Sequence, residues 1–551
     1  MKNKNVADLD YCKLSLRNEY AALMEKADSC LSLSELFARD PERGERLRCQ
    51  AAGLTLDYSK QSITDEVFEE LLKLADSCQL PRHINKLFGG DIVNLSEDKA
   101  ALHTALRTPA EVLPDELGMI SAELDKLAQL VFKIQQGVWR GFSGKRITDV
   151  VNLGVGGSDL GPLMVSHALD EYRDEGGKNL KVHFASSMDG SQLFQLMEHL
   201  APESTLFIVS SKSFTTIDTL SNAQTVRDWL GHYCSDEAML LRCHFIGVSA
   251  NRNRMTQWGI HSENQLEFWS WVGGRFSLWS AIGLPIALSV GVFAFRRLLA
   301  GAFQMDLHFR SAPLAENLPV IMALLGVWNV SFRDIRAHAI LPYDGRLKFF
   351  PSYLEQLEME SNGKSVTQLG EPVDYMTCPV LWGEVGTNAQ HAFYQLLHQG
   401  TQPVVSDFII AASRYDGPVQ QPHQDALLKQ HDLNISNCLA QSRVLAFGAG
   451  EQPGLLNSFR HYPGNQPSST LVLNRLEPES MGALIAAYEH KVFCQAVIWG
   501  INPFDQWGVE QGKEVAVKLQ SILQPGYDGS EPVDSSTQAL AALIRQQRNK
   551  K

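Results

Sequence analysis

From about residue 147 onward, short apolar runs alternate with amphipathic segments, and this alternation limits the possible folds more than any other feature of the chain. The first series of runs is ITDVVNLG (147–154), LKVHFAS (180–186), TLFIVSS (205–211) and CHFIGVS (243–249). Strands that are almost wholly apolar and alternate with helices are typical of a parallel sheet covered on both faces. The pattern therefore predicts an α/β fold.

A second series repeats this pattern in the other half of the chain. Its runs are HAILPYD (338–344), PVLWGEVGT (379–387), PVVSDFIIAA (403–412) and STLVLNRLEP (469–478). Two doubly wound parallel-sheet units in tandem are therefore predicted. Ligands of such folds bind beyond the carboxyl ends of the strands, so the turns after these runs are where chemistry is expected.

The flanking regions differ from these two units. Residues 1 to about 120 have helical periodicity and little strand signal, and the last residues combine a Pro/Gly/Ser turn with a short basic helix. The predicted organisation is a helical N-terminal region (1–120) that packs on the larger domain, a smaller first domain (121–300), a larger second domain (301–505) and a C-terminal arm (506–551).

Composition narrows the choice of partners. The chain has 49 Lys and Arg against 62 Asp and Glu, a net charge of −13, and no basic block offsets it. This balance argues against nucleic acid or an anionic membrane as a partner. An anionic substrate would need a local positive pocket.

The cysteines and the absence of targeting segments indicate the cellular compartment of the protein. The nine cysteines are scattered without a C-x-x-C motif, which predicts reduced thiols in a cytoplasmic protein and no zinc site. The N-terminus has no apolar signal-peptide core. The stretch WSAIGLPIALSVGVFAF (279–295) is short for a membrane span and contains Pro285, so a buried core helix is predicted.

A glycine-rich turn follows the first predicted strand, in NLGVGGSDLGP (152–162). Glycines allow backbone N–H groups to approach an anion at a helix N-terminus. Gly154, Gly156 and Gly157 match G-x-G-x-x-G only loosely, and no acidic residue follows the next strand where a ribose would need one. A dinucleotide site is disfavoured, and a phosphate site or a tight packing turn both remain open.

A second candidate turn is SSKSFTTIDT (210–219), which combines hydroxyl side chains with Lys212 ahead of a predicted helix. Hydroxyls and N–H groups at a helix N-terminus can bind a phosphate monoester. The alternative is a Ser/Thr-rich helix cap on a surface loop. The two turns together favour a phosphate pocket, and without G-x-x-x-x-G-K-[ST] nucleotide phosphoryl transfer is not expected.

Candidates for acid–base chemistry lie in three segments. In LEQLEMESNGK (354–364), Glu360 ends a predicted helix and could face a cleft, whereas Glu355 and Glu358 are expected to face solvent; a solvated Glu360 is the alternative. His391 is predicted in the first turn of a helix, where the helix dipole favours neutral imidazole. Arg275 follows a Gly-Gly turn, where it could stabilise an oxyanion or form a surface ion pair.

A last segment, FDQWGVEQGK (504–513), places Gln506 and Lys513 on a turn that leads into a helix. Taken alone, it is typical of an amphipathic surface.

Together these segments resemble the glucose-6-phosphate isomerase (phosphoglucose isomerase) family. WVGGRFSLWSAIGL and INPFDQWGVEQGK are similar to its two signature stretches, and GVGGSDLGP, SSKSFTT, MESNGK and GTNAQHAFYQLLHQG are similar to four more, in family order. The resemblance covers residues 80 to 551. It implies two sugar-isomerase (SIS) domains and reversible isomerisation of glucose 6-phosphate and fructose 6-phosphate through a cis-enediol(ate), in glycolysis and gluconeogenesis.

The resemblance also implies roles for individual residues. Glu360 resembles the base that moves a proton between C2 and C1, and Arg275 resembles the arginine beside the developing enediolate oxygen. His391 and Lys513 resemble the acid/base pair that opens the sugar ring. The groups that would hold phosphate and sugar hydroxyls are Gly157, Ser158, Ser211, Lys212, Ser213, Thr215, Thr216, Gln356 and Gln506.

In the family the histidine comes from the neighbouring subunit, so the resemblance implies a homodimer with shared active sites. It implies no metal and no cofactor. One residue departs from the family pattern T-T-x-E-T, in which the glutamate bonds the catalytic histidine: this chain has Asp218, one methylene shorter. Asp218 is expected to reach His391 only with a small backbone shift or a bridging water.

Two other functions compete with this interpretation. A sugar-phosphate-sensing regulator on the same fold would keep the phosphate-binding hydroxyls and lose the acid–base residues, whereas Glu360, His391, Arg275 and Lys513 are all present. Another sugar-phosphate isomerase or an aminosugar enzyme would need an amide-handling domain or an N-terminal nucleophilic cysteine, and Cys12 is not terminal.

Overall fold

Two mixed or parallel β-sheets organise the protein, as seen in a computed structural model that describes residues 13–174, 179–415, 423–449, 458–524, 527 and 532–549. The strands are β1 Arg48–Ala51, β2 Leu54–Asp57, β3 Asp149–Leu153, β4 Lys181–Ala185, β5 Thr205–Ser210, β6 Phe245–Ser249, β7 Gln265–Glu267, β8 Ala337–Pro342, β9 Val380–Gly383, β10 Val404–Ser413 and β11 Ser468–Arg475. Residues 1–12, where the sequence predicts no signal peptide, and most of the predicted turn of the C-terminal arm lie outside the described residues.

The first sheet is parallel throughout, in the order β4-β3-β5-β6-β7. Its first four strands coincide with the four apolar runs predicted in this part of the chain. Strand β7 was not predicted, because three residues, Gln-Leu-Glu, carry no recognisable pattern. The strand order reverses between β3 and β5, and this switch point is where doubly wound folds bind ligands.

The second sheet has the order β1-β2-β11-β10-β8-β9. Its parallel part, β9-β8-β10-β11, follows the same order as β4-β3-β5-β6 of the first sheet. The prediction of two doubly wound units in one α/β chain is thus confirmed. The hairpin β1–β2 adds an antiparallel edge to β11. The N-terminal region, predicted to be helical with little strand structure, thus also contains two four-residue strands: β2 pairs with β11, more than 400 residues away, and β1 pairs with β2.

Helices cover both sheets. Among the described residues up to Pro503 they are Asn18–Asp28, Leu33–Arg39, Arg43–Arg46, Asp65–Ser77, Leu80–Gly89, Met119–Gln135, Leu160–Ala168, Ser191–Met197, Ile217–Gly231, Glu237–His244, Arg252–Trp258, Leu284–Val290, Val292–Ser311, Leu318–Val327, Phe350–Leu354, Gly386–Gln390, Tyr394–Gln399, Gln424–Phe447 and Pro478–Trp499. The last of these is buried at every residue except Glu479.

The apolar stretch 279–295 was predicted as one core helix and is instead divided between two. Helix Leu284–Val290 ends at Gly291, whose φ of +87° interrupts the backbone, and Val292–Ser311 begins directly after it. Its side chains are mostly buried, with Phe293 exposed. Among the helices of the described residues, none has the length and apolar character needed to cross a bilayer.

Residues from Phe504 onward form a second compact unit. Its described helices are Glu510–Leu519 and Ser535–Asn549. Arg545 donates to the carbonyl of Ile522, which ties the last helix to the preceding segment. The predicted domain boundaries near residues 120, 300 and 505 remain predictions.

Candidate active site

The glycine turn after β3 packs directly on the segment that carries Arg275. A Cβ atom on Gly157 would lie 2.1 Å from the carbonyl oxygen of Gly274 and 2.8 Å from the Arg275 nitrogen, so only glycine fits there. A Cβ on Gly156 would lie 3.0 Å from Gln356 Nε2. The turn at the carboxyl end of the first sheet therefore adjoins both Arg275 and Gln356.

Arg275 is buried, and all three of its guanidinium nitrogens have partners. Nε donates to Ser361 Oγ at 2.6 Å, Nη2 donates to the Pro503 carbonyl at 2.5 Å, and Nη1 lies 3.2 Å from Glu360 Oε2. Three such contacts fix the plane of the guanidinium. The sequence alternative, a surface ion pair, is wrong for Arg275.

Glu360 lies at the end of a π-helical turn, Glu355–Glu360. Its Oε2 accepts from Gln356 Nε2 at 3.0 Å and lies next to Arg275. Its other oxygen, Oε1, has no hydrogen-bond partner among the described residues, and the side chain is 23% exposed. One carboxylate oxygen is therefore held in place while the other is available to a bound molecule.

The neighbours of Glu360 correct the sequence prediction. Glu358 was expected in solvent but is buried and forms an ion pair with Lys491 at 2.7 Å, and Glu355 is half-buried. Burial raises the pKa of the Glu355 carboxyl. A π-turn shifts the side chains away from the directions that regular helical spacing gives, which is why the helical pattern misplaced them.

The hydroxyl-rich turn after β5 is shaped by Phe214, a buried residue with φ of +52°. Its hydroxyls pair with one another: Ser211 Oγ lies 3.0 Å from Thr216 Oγ1, and Ser213 Oγ lies 2.6 Å from Thr215 Oγ1. Helix Ile217–Gly231 follows without a side-chain cap from Thr216. These hydroxyls therefore do not form the Ser/Thr helix cap that was the alternative. The Thr216 side chain does not cap the first N–H groups of the helix.

Lys212 lies in the same turn and is largely buried. Burial lowers the pKa of its ammonium group to about 8, and the positive charges of Lys99 and Arg275 act in the same direction while Glu97 opposes them. Burial disfavours the charged form of Lys212, and an anion bound at this turn would stabilise that form.

Asp218 and His391 are not in contact with each other or with Glu360. Asp218 lies in the first turn of helix Ile217–Gly231, partly exposed and without a side-chain partner in the described ranges. His391 is exposed and follows the short helix Gly386–Gln390. The prediction that His391 lies in a first helical turn was wrong, because a break at residues 391–393 divides the expected helix.

Two predicted residues belong to the unit after Phe504. Lys513 is exposed on helix Glu510–Leu519, and its Nζ donates to Glu510 Oε1 at 3.0 Å. Gln506 precedes the 3₁₀ turn Trp507–Val509, and its carbonyl accepts from the Val509 N–H.

Two polar residues that support this site were missed from the sequence. Ser361 accepts the hydrogen bond from Arg275 Nε. Asn152, inside β3, bonds both the carbonyl of Ser158 and the hydroxyl of Ser210. The signal for Asn152 was available, because a polar side chain within an apolar strand must be hydrogen-bonded when it is buried.

Comparison with known proteins settles the family. The phosphoglucose isomerase profile matches residues 57–541. The chain belongs to the phosphoglucose isomerase family. A glucose-6-phosphate isomerase of Psychrobacter cryohalolentis is 54% identical over 540 residues, covering 95% of this chain and 96% of its own length. Glucose-6-phosphate isomerase 2 of Chromohalobacter salexigens is 55% identical over 548 residues, covering 96% and 97%.

A solved phosphoglucose isomerase structure agrees with this assignment. The crystal structure of a glucose-6-phosphate isomerase from Chlamydia trachomatis superposes with a TM-score of 0.83 at 29% identity, over 97% of this chain and 100% of that one. The sequence matches and the structural superposition thus agree on the phosphoglucose isomerase family.

Proposed function

We propose that Glu360 is the base with which this phosphoglucose isomerase family member interconverts glucose 6-phosphate and fructose 6-phosphate. The observation that carries the proposal is that the two oxygens of its carboxylate have different surroundings. Oε2 is held by Gln356 and Arg275, whereas Oε1 is without a partner in the described residues. A fixed carboxylate with one open oxygen can take a proton from C2 of the open-chain aldose and return it to C1.

Arg275 would stabilise the enediolate formed between these two proton transfers. Its guanidinium is buried and fixed by Ser361 and Pro503, so it does not have to reorganise as negative charge develops on the sugar oxygen. A positive charge stabilises a developing negative charge more strongly in a buried site than in water. Because this negative charge develops only in the transition state, the stabilisation accelerates the reaction. The pair Glu360–Arg275 therefore supplies the base and the charge stabilisation of an aldose–ketose isomerisation.

The phosphate of the substrate would bind between the turns after β3 and β5. The proposed ligands are Gly157 and Ser158 in the first turn and Ser211, Lys212, Ser213, Thr215 and Thr216 in the second. The two strands are neighbours at the switch point of the sheet, so both turns face the same side. Gln356, in contact with Glu360, would contact the sugar hydroxyls, as would Gln506 by the family resemblance.

Titration of Lys212 gives this phosphate site a testable pH dependence. Because the folded-state pKa of Lys212 is about 8, its charge is present below that pH and lost above it. The Kd of glucitol 6-phosphate, which lacks the reacting carbonyl, should rise about fivefold between pH 8 and pH 9, and Lys212→Gln should flatten this profile. Calorimetric titration measures both, and a flat wild-type profile contradicts the role of Lys212.

Ring opening would be the task of His391 and Lys513, with His391 supplied by a second subunit. Within one chain no hydrogen bond or ion pair of the described residues joins His391 to Glu360, and the elements that pack near the segment containing His391 carry exposed apolar side chains. These are Leu396 on the adjacent helix, Leu433 and Leu439 on helix Gln424–Phe447, and Phe459. Exposed apolar side chains grouped on a surface are typical of an interface. The role of Lys513 rests on the family signature.

Mixing two inactive variants tests the shared site. Glu360→Gln and His391→Gln should each be nearly inactive in converting fructose 6-phosphate to glucose 6-phosphate in the presence of a chelator. Co-expressed at equal levels, they should recover about a quarter of wild-type activity, because half of the dimers are mixed and each mixed dimer has one intact site.

The matched control for this experiment pairs Glu360→Gln with Arg275→Gln. These two residues are in contact within one chain, so no mixed dimer regains an intact site. If Glu360→Gln and His391→Gln recover no activity despite forming mixed dimers, the shared-site proposal is wrong. Recovery by the control pair would contradict it as well.

Asp218 would orient His391 across this interface. Its carboxylate has no partner within the described part of one chain and therefore remains available to a second. Asp218→Asn should lower kcat for glucose 6-phosphate about tenfold, because ring opening uses the histidine. Erythrose 4-phosphate cannot close a ring through its esterified oxygen and should be affected much less. Equal losses on both substrates would exclude the link to His391.

A further inference from the structure

Asn152 is a polar residue in the middle of the first sheet. It is the fourth residue of β3, fully buried, and its strand neighbours Val150, Val151 and Leu153 are apolar and buried. A buried side-chain amide loses its hydrogen bonds to water and must regain them inside the protein. Its partners therefore show what the residue is for.

Both partners of Asn152 lie at the two turns proposed to bind phosphate. Its Nδ2 donates to the carbonyl of Ser158 at 2.9 Å, within the glycine turn. Its Oδ1 accepts from the hydroxyl of Ser210 at 2.9 Å, at the end of β5 and directly before Ser211. One side chain thus joins the turn after β3 to the start of the turn after β5.

We infer that Asn152 is a positioning residue that sets the spacing between the two phosphate-binding turns, an inference that rests on the proposed function of those turns. Only an amide of this length offers a donor to one turn and an acceptor to the other. Aspartate would place a carboxylate oxygen against the Ser158 carbonyl, and an aliphatic residue would leave that carbonyl and the Ser210 hydroxyl unpaired.

The kinetic consequence differs from that of a general loss of stability. The phosphate does not react, so its contacts are present equally in the substrate complex and in the transition state. Widening the space between the turns removes uniform binding, which raises KM and leaves kcat nearly unchanged. A residue that merely supported the fold would lower the melting temperature without this division between KM and kcat.

The test measures inorganic phosphate as a competitive inhibitor of fructose 6-phosphate conversion. Asn152→Ala should raise both the Ki of phosphate and the KM of fructose 6-phosphate about tenfold, with kcat within about twofold of wild type. Ser210→Ala removes only the hydroxyl on one side of the link and should raise Ki by a smaller factor. In the double variant the effects should be less than multiplicative, because both changes break the same link.

Asn264→Ala is the matched control. Asn264 is equally a buried asparagine and directly precedes β7 of the first sheet, and its Nδ2 donates to the carbonyls of Arg242 and of Phe245, the first residue of β6, at the opposite end of the strands from the two turns. Its substitution should lower the melting temperature and leave Ki and KM unchanged. The inference is overturned if Asn264→Ala and Asn152→Ala change Ki alike, or if Ser210→Ala and Asn152→Ala leave Ki at the wild-type value.

Failure of the underlying phosphate assignment is detected separately. Lys212→Gln alters a proposed ligand rather than its support, and it should raise the phosphate Ki by itself. If Lys212→Gln leaves Ki unchanged, the phosphate site is misassigned and the inference falls with it. If Lys212→Gln raises Ki and the Asn152 and Ser210 variants do not, the phosphate site stands and the role of Asn152 alone is refuted.

Discussion

Replacing Glu360 with glutamine is expected to lower kcat for fructose 6-phosphate about 10³-fold, within the range that a positioned general base contributes, and to change KM only a few-fold. The amide keeps the size of the side chain but cannot accept a proton from carbon. Steady-state kinetics with a coupled assay for glucose 6-phosphate measures the change.

Glu355→Gln is the control for this variant. Glu355 lies on the same π-turn and is half-buried, but no hydrogen bond or ion pair among the described residues joins its carboxylate to Arg275 or to the Gln356 side chain. It should retain nearly wild-type kcat. If Glu360→Gln stays within tenfold of wild type, or if both variants lose activity equally, the assignment of the base to Glu360 is wrong.

Replacing Arg275 with glutamine should lower kcat/KM by about 10² to 10³, the typical loss when one group that stabilises a developing oxyanion is removed. Arg275→Lys keeps the positive charge but not the planar fork that holds Ser361, Pro503 and Glu360 together, so an intermediate loss is expected. Steady-state kinetics and thermal melting should be measured for both variants.

Because Arg275 also supports the local fold, Arg43→Gln is its control. Arg43 is equally buried and donates to the carbonyls of Ser59, Gln61 and Ile63. Its loss should lower the melting temperature with little effect on kcat/KM. Should the two glutamine variants lose activity in proportion to their loss of stability, Arg275 would be structural rather than electrostatic.

Residues before and after Glu360 in the sequence are bonded to the buried helix Pro478–Trp499, which fixes the position of Glu360. Lys491 of that helix pairs with Glu358, and Asn362 donates to the Val492 carbonyl and to Gln495 Oε1. Lys364 Nζ donates to the carbonyls of Glu360 and Ser361. A buried ion pair such as Glu358–Lys491 adds little net stability to the fold. The pair is better explained by the precise position that it gives to the π-turn.

The main strands were predictable because their signal is local. The runs of Val, Ile, Leu and Phe in β3 to β6 and in β8 to β11 are apolar on both faces, and the strand order repeats as expected for doubly wound units. The hairpin β1–β2 was not predictable, since LTLD is held as a strand by pairing with the distant β11 and RCQA by pairing with LTLD. Long-range pairing overrides weak local propensity.

The same distinction holds for the site. Gly157, Arg275 and Glu360 were named from motifs, and the structure brings them together with Gln356. Glu358 was misjudged because its partner, Lys491, is 133 residues away in sequence. His391 was misplaced because a non-helical turn separates two short helices, and the sequence GTNAQHAFYQLLHQG does not show this interruption. Local patterns and the family resemblance predicted these residues, and partners distant in sequence determine their geometry.

Incorporation of solvent deuterium at C1 of fructose 6-phosphate, followed by NMR in D₂O, tests the central claim most directly, because it reports proton transfer without ring opening of glucose 6-phosphate. The wild type and Glu355→Gln should incorporate deuterium at C1 at comparable rates, and Glu360→Gln should do so about 10³-fold more slowly. Incorporation by Glu360→Gln at the wild-type rate would show that another group moves the proton.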